Sequence, residues 1–244
     1  MAADVVSSNV VGYQKLTLKP GYNMIPNNFV TIGEDEEMFG INEMFDGDEN
    51  ATATRSTDTA DRIDLWDAST QMYVSYFRMT NRQGTSKWWG RFDSTGTPTD
   101  DSFAQFGDGA FYLNQADSDL ELTISGQVKS TSTDITFAPG YSILCNPYPM
   151  DIAMNDGVID WSNAVASRTT DTADRIDLWD ASTQMYVSYF RMTNRQGTSK
   201  WWGRYDSTGT ATADVISSNQ SFFYFSQANE SWTATIPSPV ASGN

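Results

Sequence analysis

Histidine is absent from this 244-residue chain, and cysteine occurs once, at Cys145. Without histidine the chain has no Ser-His or Cys-His nucleophile pair and no histidine-ligated metal site. A single cysteine cannot form a disulfide within the chain. The apolar residues before Cys145, Ile143 and Leu144, indicate a buried and unreactive thiol, with an intermolecular disulfide as the alternative.

Basic residues are also scarce. Lys and Arg total 15 against 31 Asp and Glu, which gives a formal net charge of −16. Binding to nucleic acid or to an anionic membrane surface needs clustered cations, so we expect neither partner. No apolar run approaches the ~20 residues of a membrane-spanning helix, so we expect no membrane span.

The first residues lack the basic and apolar regions of a signal peptide. The sequence Ala-Ala-Asp at positions 2–4 resembles what remains after cleavage at a small-residue site. The composition, rich in Thr, Ser, Asn and aromatic residues, is typical of exported bacterial β-proteins. We therefore expect an extracellular or cell-surface protein from which a signal peptide has been removed; the alternative is a cytosolic protein whose Met1 is native.

An internal repeat is the main feature that is present. Residues 58–97 recur at 171–210 with a single change, in which Tyr205 stands at the position of Phe92. Weaker similarity joins 18–29 to 137–148 and 111–124 to 223–236. The chain is predicted to be two tandem copies, 1–128 and 129–244. Recent copying of the block explains its near-identity; the alternative is that both copies must keep one common surface.

Alternating apolar and β-branched segments dominate each copy, separated by turn signals such as Pro20-Gly21 and the stretch 67–70. This pattern predicts an all-β fold of two homologous β-sandwich or barrel-like repeats, packed with pseudo-two-fold symmetry. Short helices are expected only in 38–45 and 152–165.

The order of motifs carries a resemblance. Each copy runs through Pro-Gly-Tyr, an apolar strand ending in Asn or Pro, a D-x-W-D hairpin, a Trp-rich strand and a Phe-Tyr strand. This order resembles a repeat of secreted, mostly uncharacterised proteins of Planctomycetes and Verrucomicrobia-like bacteria. The resemblance implies export, β-architecture and a surface or matrix role. The second copy departs from it at 219–223, which lacks the glycines of 107–111.

The Trp-rich strand is the first candidate site. If it is extended, one face carries two cations around a tryptophan in each copy. The residues on that face are Lys87, Trp89 and Arg91 in the first copy and Lys200, Trp202 and Arg204 in the second. An exposed Trp between cations suits stacking on a sugar ring. The alternatives are a cation–π ladder over a partly buried Trp, or a contact with an acidic patch on another copy of the chain.

Acidic residues form two further patterns. Asp58, Asp61, Asp64 and Asp67 recur every three residues, a spacing that alternates faces of a strand, so we expect solvated charges. Asp46, Asp48 and Asn50 place oxygen donors at alternate positions, like the start of a calcium loop. The Gly and the distant Glu of an EF-hand are missing there. A weak Ca²⁺ site is the one cofactor that the sequence suggests; the alternative is a solvated loop.

The N-terminal stretch 3–9 nearly recurs at 213–219. A terminal strand that resembles an internal one can replace it in a neighbouring copy of the chain, with Asp4, Val5 and Val6 as the exchanged residues. Coincidence in a Ser-, Asn- and Val-rich chain is the alternative.

No group of residues predicts catalysis. Each copy has one Asp-Thr-Ala triplet, beginning at Asp58 and Asp171, but neither follows an apolar strand and each has Ala where an aspartic protease has Gly. No pair of carboxylates is singled out as the acid and base of a glycosidase. We expect a non-enzymatic exported structural protein that assembles with itself into a surface layer, sheath or filament. The alternative is a bivalent carbohydrate-binding protein that uses Trp89 and Trp202, with an extracellular polysaccharide as partner.

Overall fold

The structure of the protein is a computed structural model that describes residues 10–31, 40–45, 50–90, 106–129, 132–203, 213–228 and 230–234. In the N-terminal half the elements are β1 (Val10–Leu18), β2 (Gly21–Pro26), α1 (Ile41–Met44), β3 (Arg62–Asp67), β4 (Met72–Thr80), β5 (Ser86–Gly90), β6 (Gly109–Asn114) and β7 (Leu120–Val128). In the C-terminal half they are β8 (Thr133–Phe137), β9 (Gly140–Cys145), β10 (Ile152–Ala153), β11 (Ile159–Asp160), β12 (Arg175–Asp180), β13 (Met185–Thr193), β14 (Ser199–Gly203), β15 (Val215–Ile216), β16 (Ser221–Ser226) and β17 (Glu230–Ala234).

Each half contains a five-stranded antiparallel sheet with an equivalent strand order. The order is β2-β6-β3-β4-β5 in the N-terminal half and β9-β16-β12-β13-β14 in the C-terminal half. The predicted all-β fold class is confirmed. The predicted boundary between residues 128 and 129 falls after β7 and before β8. The division into two domains stays a prediction.

A smaller antiparallel layer packs against each five-stranded sheet. In the N-terminal half this layer is the β1–β7 ribbon, and in the C-terminal half it is β8-β17-β11. Side chains of β7 alternate strictly between buried and exposed over Leu120–Ser125, because one face of the ribbon covers the core and the other meets solvent. Each half is therefore a small β-sandwich. The residual strands β10 and β15 pair with each other.

Each sandwich encloses its own apolar core. The N-terminal core includes Trp88 and Tyr112, and the C-terminal core includes Trp201 and Tyr224, all of them 0% exposed. Their rings pack edge to face, with centroids 5.8 Å apart in the first pair and 6.2 Å in the second. Large aromatic side chains of this kind contribute most of the buried apolar area that stabilises a β-sandwich.

Helix is minor, as expected, but one predicted stretch is wrong. The helix α1 lies inside the predicted segment 38–45, whereas 152–165 forms the short strands β10 and β11. Gly157 has a φ of +88°, which a helix does not tolerate, and Ile159 pairs with Ala234 of β17. Pairing with a distant strand thus overrides local preference. No helix within the described ranges is long and apolar enough to span a membrane.

The hairpins between β3 and β4 and between β12 and β13 have a tightly capped turn. The carboxylate of Asp67 accepts hydrogen bonds from the backbone N–H and the hydroxyl of Ser69, at 2.9 and 2.6 Å, and from the Thr70 hydroxyl at 2.7 Å. These bonds lower the pKa of Asp67 to about 2, and equivalent bonds lower the pKa of Asp180. The predicted turn at 67–70 is present.

The other aspartates of the three-residue series are not all solvated, so that expectation is wrong. Asp61 and Asp174 are 0% exposed, and Asp64 is 4% exposed. The carboxylate of Asp61 accepts hydrogen bonds from the Thr52 N–H at 2.9 Å, the Tyr112 hydroxyl at 2.9 Å and the Gln115 N–H at 2.8 Å. Buried carboxylates persist only where donors satisfy them, and here three donors do. Asp174 binds the equivalent groups of the C-terminal half.

The contribution of the buried Asp61 carboxylate to stability can be tested by mutation. Asp61→Ala should lower the free energy of unfolding by about 2–4 kcal/mol, because it leaves buried donors without an acceptor. Urea titration followed by tryptophan fluorescence measures the change. Asp58→Ala, at an exposed position of the same series, is the matched control and should leave stability unchanged. Equal effects of the two substitutions would contradict the assignment.

Candidate functional site

The two halves meet through a reciprocal contact that we call the glutamine clamp. Its members are Gln71 and Trp66 of the N-terminal half, which bind Tyr141, together with Gln184 and Trp179 of the C-terminal half, which bind Tyr22. Tyr22 lies on β2 and Tyr141 on β9, and each of these is an edge strand of its five-stranded sheet. The turn of each hairpin therefore reaches across to the sheet edge of the other half.

Gln184 binds the backbone of Tyr22 much as a neighbouring strand would. Its Oε1 accepts from the Tyr22 N–H at 3.1 Å, and its Nε2 donates to the Tyr22 carbonyl at 3.0 Å. The Trp179 Nε1 donates to the same carbonyl at 2.9 Å. The side-chain amide thus satisfies an edge N–H and C=O pair that would otherwise be open to another strand.

The equivalent contact, between Gln71 and Tyr141, has the same geometry. Gln71 Oε1 accepts from the Tyr141 N–H at 2.9 Å, and Gln71 Nε2 donates to the Tyr141 carbonyl at 2.9 Å. Trp66 Nε1 donates to that carbonyl at 2.7 Å. Each Gln Nε2 also donates at 2.7 Å to a carbonyl of its own turn, Ala68 or Ala181, which fixes the orientation of the amide.

Residues on both sides of the clamp have a positive φ. Gln71 and Gln184 have φ of 55° and 53°, the left-handed region that ends these turns and that non-glycine residues seldom adopt. Opposite them stand Gly21 and Gly140, with φ of +90° and +100°. A Cβ on Gly140 would lie 2.8 Å from Gln71 Oε1, so a side chain there would displace the amide.

An aromatic cluster lies beneath the clamp, between the two sheets. Phe111 and Phe223 pack with ring centroids 5.9 Å apart. Trp179 packs edge to face on Phe111 at 5.8 Å, and Trp66 on Phe223 at 6.0 Å. Met24 and Ile143 complete this cluster. The clamp bonds therefore surround a buried apolar contact, which excludes water from the junction.

The closest approach of the halves is asymmetric. Gly109 on β6 occupies the position that Ser221 holds on β16, and the two face each other. A Cβ on Gly109 would lie 2.5 Å from Ser221 Oγ and 2.6 Å from Ser221 Cβ. The Ser221 hydroxyl donates to the Ile25 carbonyl at 2.7 Å. Only one of the two positions has space for a side chain, because the backbones meet here.

Tyrosine side chains gather beside the junction. Tyr22, Tyr73 and Tyr186 are 37%, 43% and 42% exposed. Partial burial and the nearby charges of Asp64 and Tyr22 raise the pKa of Tyr73 to about 12. Burial likewise raises the pKa of Tyr186, with smaller contributions from Tyr73, Asp177 and Tyr141. The Tyr73 and Tyr186 hydroxyls therefore stay protonated at neutral pH.

Next to these tyrosines, each half exposes the apolar start of a strand. We call Met72–Val74 of β4 and Met185–Val187 of β13 the edge segments. Met72 and Met185 are both 65% exposed, and Val74 and Val187 are 45% and 49% exposed. Within the described residues, β5 covers β4 only over Tyr76–Thr80, so no strand pairs with Met72 to Ser75 on that side. An apolar strand edge of this kind is suited to pairing with another chain.

The prediction that Trp89 and Trp202 lie on an exposed surface is wrong. Trp89 and Trp202 are 2% and 3% exposed, because both faces of this strand are covered. Neither indole offers a face to a sugar ring or to another subunit. The cation–π contacts that do form involve the neighbouring tryptophans, with Arg78 5.9 Å from the centre of the Trp88 ring and Arg191 5.9 Å from Trp201.

The other predicted site residues are not brought together in the described part of the chain. Lys87 is half-buried and Lys200 is exposed. Asn50 is exposed, and the described residues contain no group of three or more potential metal-ligating side chains. The remaining predicted residues lie outside the described ranges: Arg91, Arg204, Asp4, Val5, Val6, Asp46 and Asp48. Cys145 is buried, and this burial raises the pKa of its thiol, as the sequence indicated.

Comparisons of the chain with protein-family models, with curated proteins and with solved structures found no match. The resemblance to the repeat of secreted bacterial proteins stays a prediction. The glutamine clamp has a signal in the sequence, although no single motif predicts it. Pro-Gly-Tyr and Asp-Ala-Ser-Thr-Gln are each retained in both copies, and they are the two surfaces that meet across the junction.

The clamp should contribute measurably to stability. Gln71→Ala removes the two bonds to Tyr141 and the bond to Ala68, so we expect a loss of about 2 kcal/mol in the free energy of unfolding. Gln184→Ala should cost a similar amount, and the double variant about the sum. Gln83→Ala, at an exposed loop position, serves as the control. Wild-type stability of Gln71→Ala in urea titration would refute a structural role for the clamp.

The asymmetric contact predicts a compensating pair. Gly109→Ala should destabilise the protein by about 1–3 kcal/mol, because the added methyl overlaps Ser221. Ser221→Gly in the same chain removes the overlapping atoms and should restore part of that loss. A double-mutant cycle by thermal unfolding measures the coupling. Strictly additive effects of the two substitutions would show that the backbones do not meet as described.

Proposed function

We propose that this protein is a non-enzymatic, exported structural protein that assembles with copies of itself. The observation that carries the proposal is the pair of edge segments, Met72–Val74 and Met185–Val187. Each is exposed and apolar, and within the described residues each lies on a strand with an open edge. Edge strands of monomeric proteins are normally protected by charge, proline or a bulge, and these segments contain neither charge nor proline.

A second copy of the chain is the partner that fits best. The net charge of −16 makes two copies repel each other at most points of their surfaces. The edge segments and the two residues that follow each of them carry no charge, so close approach costs least there. Antiparallel pairing of an edge segment with its counterpart on another molecule would extend the sheet and bury the exposed Met and Val side chains.

Because of the internal repeat, each chain has two equivalent edges that can pair with other copies. One molecule presents the same edge segment twice, so a molecule that has paired through β4 still offers β13. The glutamine clamp and the aromatic cluster hold the two halves, and therefore the two edges, in one fixed relation. Repetition of a contact between units with two binding edges forms an extended assembly wherever the geometry does not close a ring.

Lysine substitutions at the edges test this proposal. Val74→Lys and Val187→Lys each place a charge on one edge segment, which opposes strand pairing. We expect wild-type protein to form large assemblies with rising concentration, by light scattering and negative-stain electron microscopy, with and without CaCl₂. Either single variant should stop at dimers, and the double variant should remain monomeric.

The matched control is the double variant Gln83→Lys/Gln196→Lys. It adds the same charge at exposed positions in the loop between β4 and β5 and in the loop between β13 and β14. This variant should assemble like the wild type. A wild-type protein that stays monomeric at high concentration, or a Val74→Lys/Val187→Lys protein that assembles normally, would reject the proposal. Circular dichroism of each variant checks that the fold is retained.

A further inference from the structure

A cavity of about 260 Å³ opens beside the glutamine clamp, on the side of Trp179. It lies between the halves, since β1 and β2 form one wall and the C-terminal hairpin and the segment before β16 form the other. Its lining consists of Leu16, Thr17, Leu18, Asn23, Met24, Trp179, Ala181, Ser217, Asn219, Gln220 and Ser221. This volume is below the ~300 Å³ at which sites for drug-sized ligands begin, so it suits one small ring.

The equivalent position beside Trp66 is filled. There Gly107 stands where the cavity has Asn219, and Ile135 stands where the cavity has Leu16. The Cδ1 atom of Ile135 lies 2.5 Å from the place that a Gly107 Cβ would occupy, so the isoleucine packs directly on the glycine backbone. The two junctions therefore share the same tryptophan and glutamine but differ in the residues that would enclose a ligand.

The lining is polar without being charged. None of its eleven residues is ionisable at neutral pH. Some of its polar groups are already used: the Asn23 amide is bonded to the Lys19 and Gly21 carbonyls. Asn219 is exposed and has no hydrogen bond within the described residues, and Gln220 Oε1 accepts only a long bond of 3.4 Å from the Ser217 N–H. An amide side chain both donates and accepts, which matches a ligand hydroxyl group.

The indole of Trp179 supplies the apolar component. Its Nε1 is held by the Tyr22 carbonyl at 2.9 Å, and its ring packs on Tyr186 with centroids 4.7 Å apart. The ring is thus fixed before any ligand enters, which reduces the entropy lost on binding. A fixed aromatic side chain beside the exposed Asn219 amide and the weakly bonded Gln220 amide is complementary to a ring that has one face of C–H groups and a rim of hydroxyls.

We propose that this cavity binds a single neutral saccharide ring, stacked on Trp179 and hydrogen-bonded by Asn219 and Gln220. The absence of cations from the lining opposes an anionic ligand, and the absence of carboxylates opposes a cationic one. The Trp66 junction has Gly107 at the position of Asn219 and Ile135 at the position of Leu16, so the proposed site lies at the Trp179 junction. The inference is independent of self-assembly, because the cavity is built within one molecule.

Binding can be measured by tryptophan fluorescence and calorimetry, with glucose, galactose, mannose and N-acetylglucosamine as probes. We expect saturable binding of at least one of them. Asn219→Ala, at an exposed position that does not support the fold, should weaken binding about tenfold. Trp179→Ala should weaken it by tenfold or more.

The internal repeat provides the decisive control. Trp66→Ala removes the equivalent indole, with the equivalent bond to Tyr141, from the junction where Ile135 packs on Gly107. It should lower stability as much as Trp179→Ala does and leave saccharide affinity at the wild-type value. Equal loss of affinity in the two tryptophan variants would overturn the proposal. So would the absence of binding by all four sugars, or binding of phenol, as an uncharged aromatic probe, in preference to them.

Discussion

The arrangement of this molecule depends on one interaction, the hydrogen bonding of a glutamine side chain to the backbone of a sheet edge. Gln71 and Gln184 each satisfy the N–H and C=O of a tyrosine on the other half. This binding closes two strand edges that would otherwise be open, and it places the hairpins across the aromatic cluster. Without it the two sandwiches would be held by the aromatic cluster, which has little directionality, and by a few hydrogen bonds around Gly109. Those bonds include the Cys145 N–H to the Gly107 carbonyl and the Ser221 hydroxyl to the Ile25 carbonyl. The amides therefore add directional bonds at two sheet edges, and the aromatic cluster adds apolar burial between them.

The junction also explains which parts of the two copies can differ. Both hairpins make the same contacts, so the near-identical block contains the residues that every clamp needs, such as Trp66 and Gln71 in the first copy. This fits the alternative that both copies keep a common surface, although recent copying accounts for the same identity. Outside the block the copies diverge where the symmetry cannot hold. Gly109 and Ser221 cannot both carry side chains, and the residues around Asn219 leave a cavity that Ile135 and Gly107 close on the other side.

Much of the fold could be predicted from the sequence, because alternation and turn residues are local signals. The strand β4 and the turn after Asp67 are examples. The exposure of Trp89 could not be predicted, since alternation separates two faces without showing whether the second face is covered. The helix predicted for 152–165 is wrong because its strands β10 and β11 pair with β15 and β17, which lie far along the chain. Gln71 was missed for a different reason. Its role depends on a left-handed backbone and on a tyrosine of the other half, and neither is visible in its neighbours.

The pairing of β1 with β7 and of β8 with β17 has a consequence for synthesis on the ribosome. In each half the first strand pairs with the last, so a half can close only when its final strand has emerged. Among the described residues, the last strand of the N-terminal half ends at Val128, before β8, the first described strand of the C-terminal half. This order matters because β3 and β12 have the same sequence and could exchange places. Tandem repeats are prone to such misassembly. If the first half closes before the second is translated, that competition is removed and the junction forms last.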